Sequence, residues 1–369
     1  MFLKVEKVRF GVIGLKGIGM THIEAIKKCE SAELLAVCDI VEELAKSIGE
    51  KYGVKWFTDY RELITLKDLD AVCVCTPHFL HHPMTLDALN ASKHVLVEKP
   101  MAITVREADE MIEEAKARGL KLGVAFTYRT NPALKSVKSM VEREELGKLL
   151  RATLEVANYR TQLYYEDSPW RKNWKTSGAG VLINQTIHHL DVMCWLLGKP
   201  KRVAGFIDTK LHNIEVEDLA SAALVFKNNC HATVQVSLVD NPQFDRMVVS
   251  GTKGKVILDF GSQLRIGISE PDVETHIRTS KEPWSRPKAS WREVNVEGRG
   301  GHSEIIRDFT EAVKYGKKPL ASGEDGIWSL EIVNAIVLSN FTGKIVDIPV
   351  DREDYDRLMD KLKSGLKLL

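Results

Sequence analysis

Val8 to Lys28 reads VRFGVIGLKGIGMTHIEAIKK. Val8 to Ile13 is a short apolar run of the kind buried in a parallel sheet. It passes directly into Gly14-Leu15-Lys16-Gly17-Ile18-Gly19, after which a helical pattern begins. A dinucleotide pyrophosphate needs this order: a turn with little side-chain bulk, then a helix N-terminus whose free N–H groups and positive dipole end face the phosphates. Asp39 ends a second apolar stretch, Leu34 to Cys38, about 20 residues past Gly19, where a carboxylate can accept from a ribose 2′-OH. The same carboxylate would repel the 2′-phosphate of NADP, so the cofactor called for is NAD, held by Gly14, Lys16, Gly17, Ile18 and Asp39. Read as G-x-G-x-x-G, the turn carries Lys16 where the middle glycine belongs, with Gly17 one place late. Lys16 either supplies charge to the pyrophosphate or points to solvent.

The chain has 369 residues, 44% of them hydrophobic and 28% charged, which is enough for two globular domains. Its formal net charge of +1 provides no field to recruit nucleic acid or a membrane. No apolar run approaches the ~18 residues of a membrane span, and the first residues lack the order of a signal peptide, so the chain reads as cytoplasmic. Cys73 and Cys75 sit two apart in an apolar strand and point to one face, as reduced core residues rather than a disulfide or metal pair. The cluster His78, His81 and His82 has no nearby cysteine or carboxylate to complete a tetrahedral set, and no metal is expected.

After Asp39, helical spacing from Val41 to Tyr52 precedes a buried strand, Ala71 to Cys75, closed by Thr76-Pro77. A helix over Pro83 to Ala91, a strand over His94 to Val97, a helix over Thr104 to Arg118 and a strand over Lys121 to Val124 follow. This alternation predicts a doubly wound parallel sheet of the Rossmann kind, with residues 1–125 as the NAD(P)-binding domain. Ligands then sit beyond the carboxyl ends of the strands, where the loops after Ile13, Cys38, Cys75 and Val97 converge. The last of these reads Glu98-Lys99-Pro100. Partly buried, Lys99 could have a lowered pKa and serve a substrate hydroxyl as proton acceptor or hydrogen-bond donor; the plain alternative is an exposed ion pair.

Residues 126–369 form the second domain, for substrate binding and oligomerisation. Strands are expected over residues 150–158, 203–208, 220–226, 231–238, 246–250 and 255–260, with Asn228-Asn229 and Gly251-Thr252-Lys253-Gly254 as hairpin turns. The sheet is therefore large, open and mainly antiparallel, in an α+β domain. Its uncovered face calls for a partner subunit, as a homodimer or homotetramer. A helix over Val181 to Leu197 is apolar nearly all round and so buried, yet Asn184, Gln185, His188, His189 and Asp191 interrupt it. Asn184, His188 and Asp191 share a helical face. A substrate's hydroxyls could satisfy them, or His188 is a core histidine capped by Asp191. Tyr164, Tyr165, Trp170, Arg171 and Trp174 precede this helix. Aromatic rings stack on sugars, and Arg171 or Arg129 could hold a carboxylate or phosphate bidentately. As core and surface residues they would be equally ordinary.

Three segments, GVIGLKGIGMTH, then TPHFLHH followed by a helix and KHVLVEKP, then GAGVLINQTIHHLD, resemble the glucose-fructose oxidoreductase and inositol dehydrogenase family, Gfo/Idh/MocA, over nearly the whole chain. The resemblance implies an NAD(P)-binding domain followed by an α/β domain whose open sheet makes subunit contacts. Lys99 matches the family's active-site lysine, and Thr76, Pro77, His81 and Glu98 match positions lining the cofactor. His188 falls on the family's histidine, while Asn184 stands where an acid is usual and cannot take a proton. The implied activity is transfer of a hydride between a secondary hydroxyl of a sugar, cyclitol or sugar nucleotide and the nicotinamide. Catalysis would rest on Lys99, His188 and Asn184, and substrate contacts on Arg129, Tyr164, Trp170, Arg171, Gln185 and His188. Alternatives within the resemblance are an NAD-dependent glycosidase using transient oxidation and a nucleotide-sensing regulator without turnover.

Overall fold

The computed structural model describes residues 7–260, 263–295, 298 and 300–365. Its packing forms two compact units: Met1–Thr130 with Gly300–Leu330, and Asn131–Arg299 with Glu331–Leu369. The sequence reading closed the first domain at residue 125 and gave everything after it to the second. Gly300–Leu330 instead belongs with the first unit, because apolar residues of the helix His302–Tyr315 complete that unit's core.

The first unit is built on a six-stranded parallel sheet of β1 (Val8–Ile13), β2 (Ala32–Cys38), β3 (Lys55–Phe57), β4 (Ala71–Val74), β5 (His94–Val97) and β6 (Leu122–Val124), in the order β3-β2-β1-β4-β5-β6. The order reverses between β1 and β4, which is where a doubly wound sheet binds its ligand. Only β3 was absent from the sequence reading; three residues, all at least partly exposed, leave no apolar run to detect. Phe10, Val12, Leu15, Ile23 and Ile26 pack with Ile305, Ile306 and Phe309 of the returning helix. The Phe309 ring sits 6.3 Å from that of Phe10.

The second unit carries nine strands: β7 (Leu149–Tyr159), β8 (Pro200–Asp208), β9 (Leu219–Phe226), β10 (His231–Ser237), β11 (Val239–Gly251), β12 (Gly254–Asp259), β13 (Gln263–Glu270), β14 (Lys288–Val294) and β15 (Val346–Asp347). Their order is β14-β13-β12-β11-β7-β10-β9-β8-β15, with β7 and β10 parallel and the other described pairs antiparallel. Burial alternates along β9 and along β10 as far as Val236, so Ala222, Leu224, Val234 and Val236 face the core while Ala223, Val225, Thr233 and Gln235 face outward. The helix expected over Val181 to Leu197 is broken. Val181–Asn184 forms one turn, and a second helix runs Ile187–Leu197 after an interruption at Gln185 and Thr186. Apolar content alone could not reveal the break, since both pieces are buried. Near the end of the chain a charged helix runs Arg352–Lys363. Among the described residues no helix is long and apolar enough to cross a membrane.

Candidate active site

The turn after β1 is shaped by two glycines. Gly14 has φ +88°, and a Cβ there would stand 2.7 Å from the Cys75 carbonyl oxygen; a Cβ on Gly19 would stand 1.9 Å from the Gly14 carbonyl oxygen. Neither position admits a side chain, which brings the start of the Ile18–Lys28 helix close against the strand ends. The N–H groups of Lys16, Gly17 and Ile18 find no acceptor among the described residues, so the helix start offers free donors to an anion. Lys16 itself is exposed. Asp39 lies beside the turn: its Oδ2 accepts from Leu15 N at 2.9 Å and its Oδ1 from Val41 N at 3.0 Å. A carboxylate fixed by two amides keeps further lone pairs for a ribose diol. The free N–H groups, the bulk-free turn and this carboxylate fit a dinucleotide.

Glu98 does not point to a ligand. It is buried, and its Oε1 accepts from His22 Nε2 at 2.7 Å and His302 Nε2 at 3.2 Å, while Oε2 accepts from the Lys99 amide at 3.2 Å. Burial raises the carboxyl's pKa, but the bonds from His22 and His302 outweigh it and hold the group well below the usual carboxylate range. Glu98 therefore anchors the loop that carries Lys99. Neither histidine was singled out in the sequence. His22, Glu98 and His302 also have ligand-capable atoms within 4.8 Å of one another. The 2.7 Å contact is a hydrogen bond, however, and His22 Nδ1 is buried without a partner, where a metal-bound imidazole would donate its second N–H. A triply bonded carboxylate accounts for the cluster.

His81 steadies the same loop from another strand end. Its Nδ1 lies 2.6 Å from the Pro100 carbonyl oxygen and its Nε2 2.7 Å from that of Thr76. The ring donates at least one of these bonds in any protonation state and both as imidazolium. Burial lowers its pKa against the pull of the two carbonyls. With both nitrogens occupied, His81 ties Thr76 to Pro100 rather than reaching a cofactor. Lys99 is half-buried at the carboxyl end of β5, joined to Pro100 by a cis peptide. Arg129 is spent on structure: it is buried, its Nη1 donates to the Leu320 carbonyl oxygen at 2.9 Å and stands 3.9 Å from Asp325 Oδ2.

In the second unit, Asn184 closes the Val181–Asn184 turn, and its Nδ2 donates to Ser177 Oγ at 2.9 Å and the Gly180 carbonyl oxygen at 3.4 Å. His188 lies half-buried in the first turn of the Ile187–Leu197 helix. Gln185, in the break between them, donates from Nε2 to the Tyr164 hydroxyl at 3.0 Å. Tyr164 in turn lies under Arg171, whose guanidinium carbon is 4.5 Å from the Tyr164 ring centre and 4.8 Å from that of Trp170. Four residues from the substrate list, Tyr164, Trp170, Arg171 and Gln185, thus form one contiguous group.

A residue that the sequence reading missed supports this region. Glu217 is fully buried; its Oε2 accepts from Gly180 N at 2.8 Å and its Oε1 from Leu182 N at 3.1 Å. It thereby caps the turn that ends in Asn184. Burial pushes its carboxyl up to about 7 despite these amides. Its neighbour Asp218 is held low, because bonds from the amides of Lys210, Leu211 and His212 and from His212 Nδ1 outweigh its burial. Adjacent acids look alike in a sequence; only their donors separate them.

Comparison with known proteins adds the following. Residues 8–126 match GFO_IDH_MocA, described as an oxidoreductase family with an NAD-binding Rossmann fold, and residues 134–257 match the GFO/IDH/MocA C-terminal domain. The chain is 29% identical to the myo-inositol 2-dehydrogenase of Thermotoga maritima, over 88% of this chain and 93% of that one. It is 30% identical to the glucose-6-phosphate 3-dehydrogenase of Bacillus subtilis, over 64% and 69% respectively. Among solved structures, the WlbA dehydrogenase of Bordetella pertussis, in complex with NADH and UDP-GlcNAcA, superposes with a TM-score of 0.80 at 26% identity, covering 94% of this chain and all of that one.

Three donors meet two oxygens at Glu98, and an amide has only one oxygen. Glu98→Gln should therefore cost about 1–3 kcal/mol and weaken NADH binding, read by chemical unfolding and by fluorescence titration; unchanged values in both would remove the anchor role. Glu217 has a folded pKa above its ordinary 4.5, so the native chain keeps a proton that the unfolded chain has released between about 4.5 and 7. Stability from this group is present below that window and is lost as pH rises through it, by about 3 kcal/mol. Urea unfolding of the wild type at pH values on either side of the window should show this loss, and Glu217→Gln should not; identical pH dependence in the two would reject it.

Proposed function

The chain belongs to the GFO/IDH/MocA oxidoreductase family, and from that membership we propose that it is an NAD-dependent dehydrogenase of a sugar, cyclitol or sugar-nucleotide secondary hydroxyl. The observation that carries the cofactor half is the set of free N–H groups at Lys16, Gly17 and Ile18 beside the fixed Asp39 carboxylate. NAD supplies the hydride acceptor. The chain's residues do the rest: the helix start binds the pyrophosphate, Asp39 receives ribose hydroxyls, and Glu98 with His81 fixes the loop that presents Lys99. Lys99 in the first unit is the group suited to donate to a carbinol oxygen, and His188 in the second is the group suited to accept a proton. Asn184, with no proton to exchange, orients the region around His188.

The outer face of the nine-stranded sheet supports a homodimer or homotetramer. It presents Ala223, Val225 and Thr233 across neighbouring strands, and Phe206 on β8 is 75% exposed. A sheet with one bare face that includes such apolar side chains gains from a cover.

Purified protein supplied with NAD and a panel of inositols, aldoses, uronates and UDP-sugars should form NADH with one class, and form it more slowly with NADP. Lys99→Ala should lower kcat by about 10²–10⁴-fold. A variant as fast as the wild type would take Lys99 out of the chemistry. Phe206→Glu should lower the solution mass measured by light scattering; an unchanged mass would put the subunit contacts elsewhere.

A further inference from the structure

Arg171 is an arginine without a counter-charge. Among the described residues it makes no ion pair and no side-chain hydrogen bond, and its Nε is buried with no partner. What it does have is a platform. Its guanidinium carbon sits 4.5 Å from the Tyr164 ring centre and 4.8 Å from that of Trp170. Such contacts use the charge and leave the N–H donors unspent. The platform is itself fixed: the Tyr164 ring stands edge-on to Tyr165 at 5.0 Å, Tyr165 edge-on to His212 at 5.0 Å, and His212 is tied by Nδ1 to the buried Asp218 at 2.9 Å. On its other side, Tyr164 receives Gln185 Nε2 at 3.0 Å, and the Gln185 Oε1 is buried with no partner. Gln185 adjoins Asn184 and precedes His188 by three residues. An unpaired cation and an unpaired amide oxygen are thus held rigidly next to the segment that bears the proposed base.

Groups left this way lose free energy until something pairs with them. A fork of N–H donors on a delocalised cation pairs best with two oxygens of an anion. Arg129, the other candidate for this task, already has its acceptor and carboxylate within its own unit. Arg160, which also lies near Tyr164 at 5.6 Å, is half-buried and its Nη1 donates to the Tyr159 carbonyl oxygen at 2.7 Å.

We propose that Arg171, preorganised on Tyr164 and Trp170, receives an anionic group of the substrate, so that the enzyme acts on an acidic sugar derivative in preference to a neutral polyol. The anion is a carboxylate or a phosphoryl group, and the unpaired Gln185 Oε1 accepts from a neighbouring hydroxyl. This inference rests on the dehydrogenase reading above and names the substrate class of the same site.

The test compares glucose with glucuronate and with glucose 6-phosphate, which differ from it by a carboxylate and a phosphate. Both NADH formation and calorimetric binding to the NADH-loaded protein are followed, in the wild type, Arg171→Gln and Arg171→Lys. In the wild type one of the charged sugars should exceed glucose about tenfold or more in kcat/KM and in affinity. Arg171→Gln should remove about 10–100-fold of that sugar's kcat/KM beyond its effect on glucose, mainly through KM. Arg171→Lys should recover only part, because an ammonium cannot make the bidentate contact. Equal preference for glucose and the charged sugars in the wild type, or equal loss for both in Arg171→Gln, would overturn the proposal. If no sugar yields NADH, the dehydrogenase reading falls. Binding still decides the role of Arg171: a charged-sugar preference that Arg171→Gln abolishes upholds it, and its absence refutes it.

Discussion

Three N–H groups meet at the carboxylate of Glu98, and most of the nucleotide-binding unit is arranged around that meeting. His22 comes from the helix after the glycine turn, His302 from the helix that returns late in the chain, and the third donor is the backbone of Lys99 itself. A buried carboxylate is tolerated only with this degree of pairing. Once paired, it links the phosphate-facing helix, the returning helix and the lysine loop through one atom group. The glutamate before Lys99 is thus needed because a carboxylate is the smallest group that accepts from three converging donors. His81 performs the complementary task, with nitrogens against two carbonyl oxygens. The loop that carries the lysine is therefore set by hydrogen bonds to Glu98 and His81.

What the sequence disclosed follows the range of the interactions involved. The turn between Ile13 and Gly19 is local: its glycines answer to backbone atoms a few residues away or in the adjacent strand, so their spacing shows the turn directly. Asp39 is legible for the same reason, as the residue at the end of the next strand. The sheet order of the first unit follows from alternation of strands and helices, and hairpin turns such as Asn228-Asn229 announce antiparallel pairs. His302 was illegible because its partner lies 204 residues away, and nothing near Gly301 hints at a buried acid. Glu217 and Asp218 differ only in the donors that the fold brings to each. The break at Gln185 and Thr186 was hidden by uniform burial on either side. The carbonyl that Arg129 holds was not legible, because its partner Leu320 lies 191 residues away.

The two units fix their functional groups in different ways. In the first, the groups left open at the turn after β1 are backbone: three amides at a helix start. In the second, the open groups beside the broken helix are side-chain atoms, Arg171 Nε and Gln185 Oε1. Backbone amides recognise the pyrophosphate of the cofactor that the members of a family share, and they tolerate sequence change. Open side chains can be exchanged one at a time. The division suits a family whose members share a cofactor and differ in the sugar.

The late return of residues 300–330 to the first unit also bears on how the chain is made. A ribosome adding about 5–20 residues per second releases β1 and the Ile18–Lys28 helix first, then spends on the order of fifteen to fifty-five seconds on the remainder before Phe309 emerges. Through that interval Phe10, Ile23 and Ile26 lack the apolar cover that Ile305, Ile306 and Phe309 provide, and Glu98 lacks one of its donors. The unit that begins the chain is the one completed after the large sheet of the other has been synthesised, so the newborn protein carries an unfinished nucleotide fold for most of its translation.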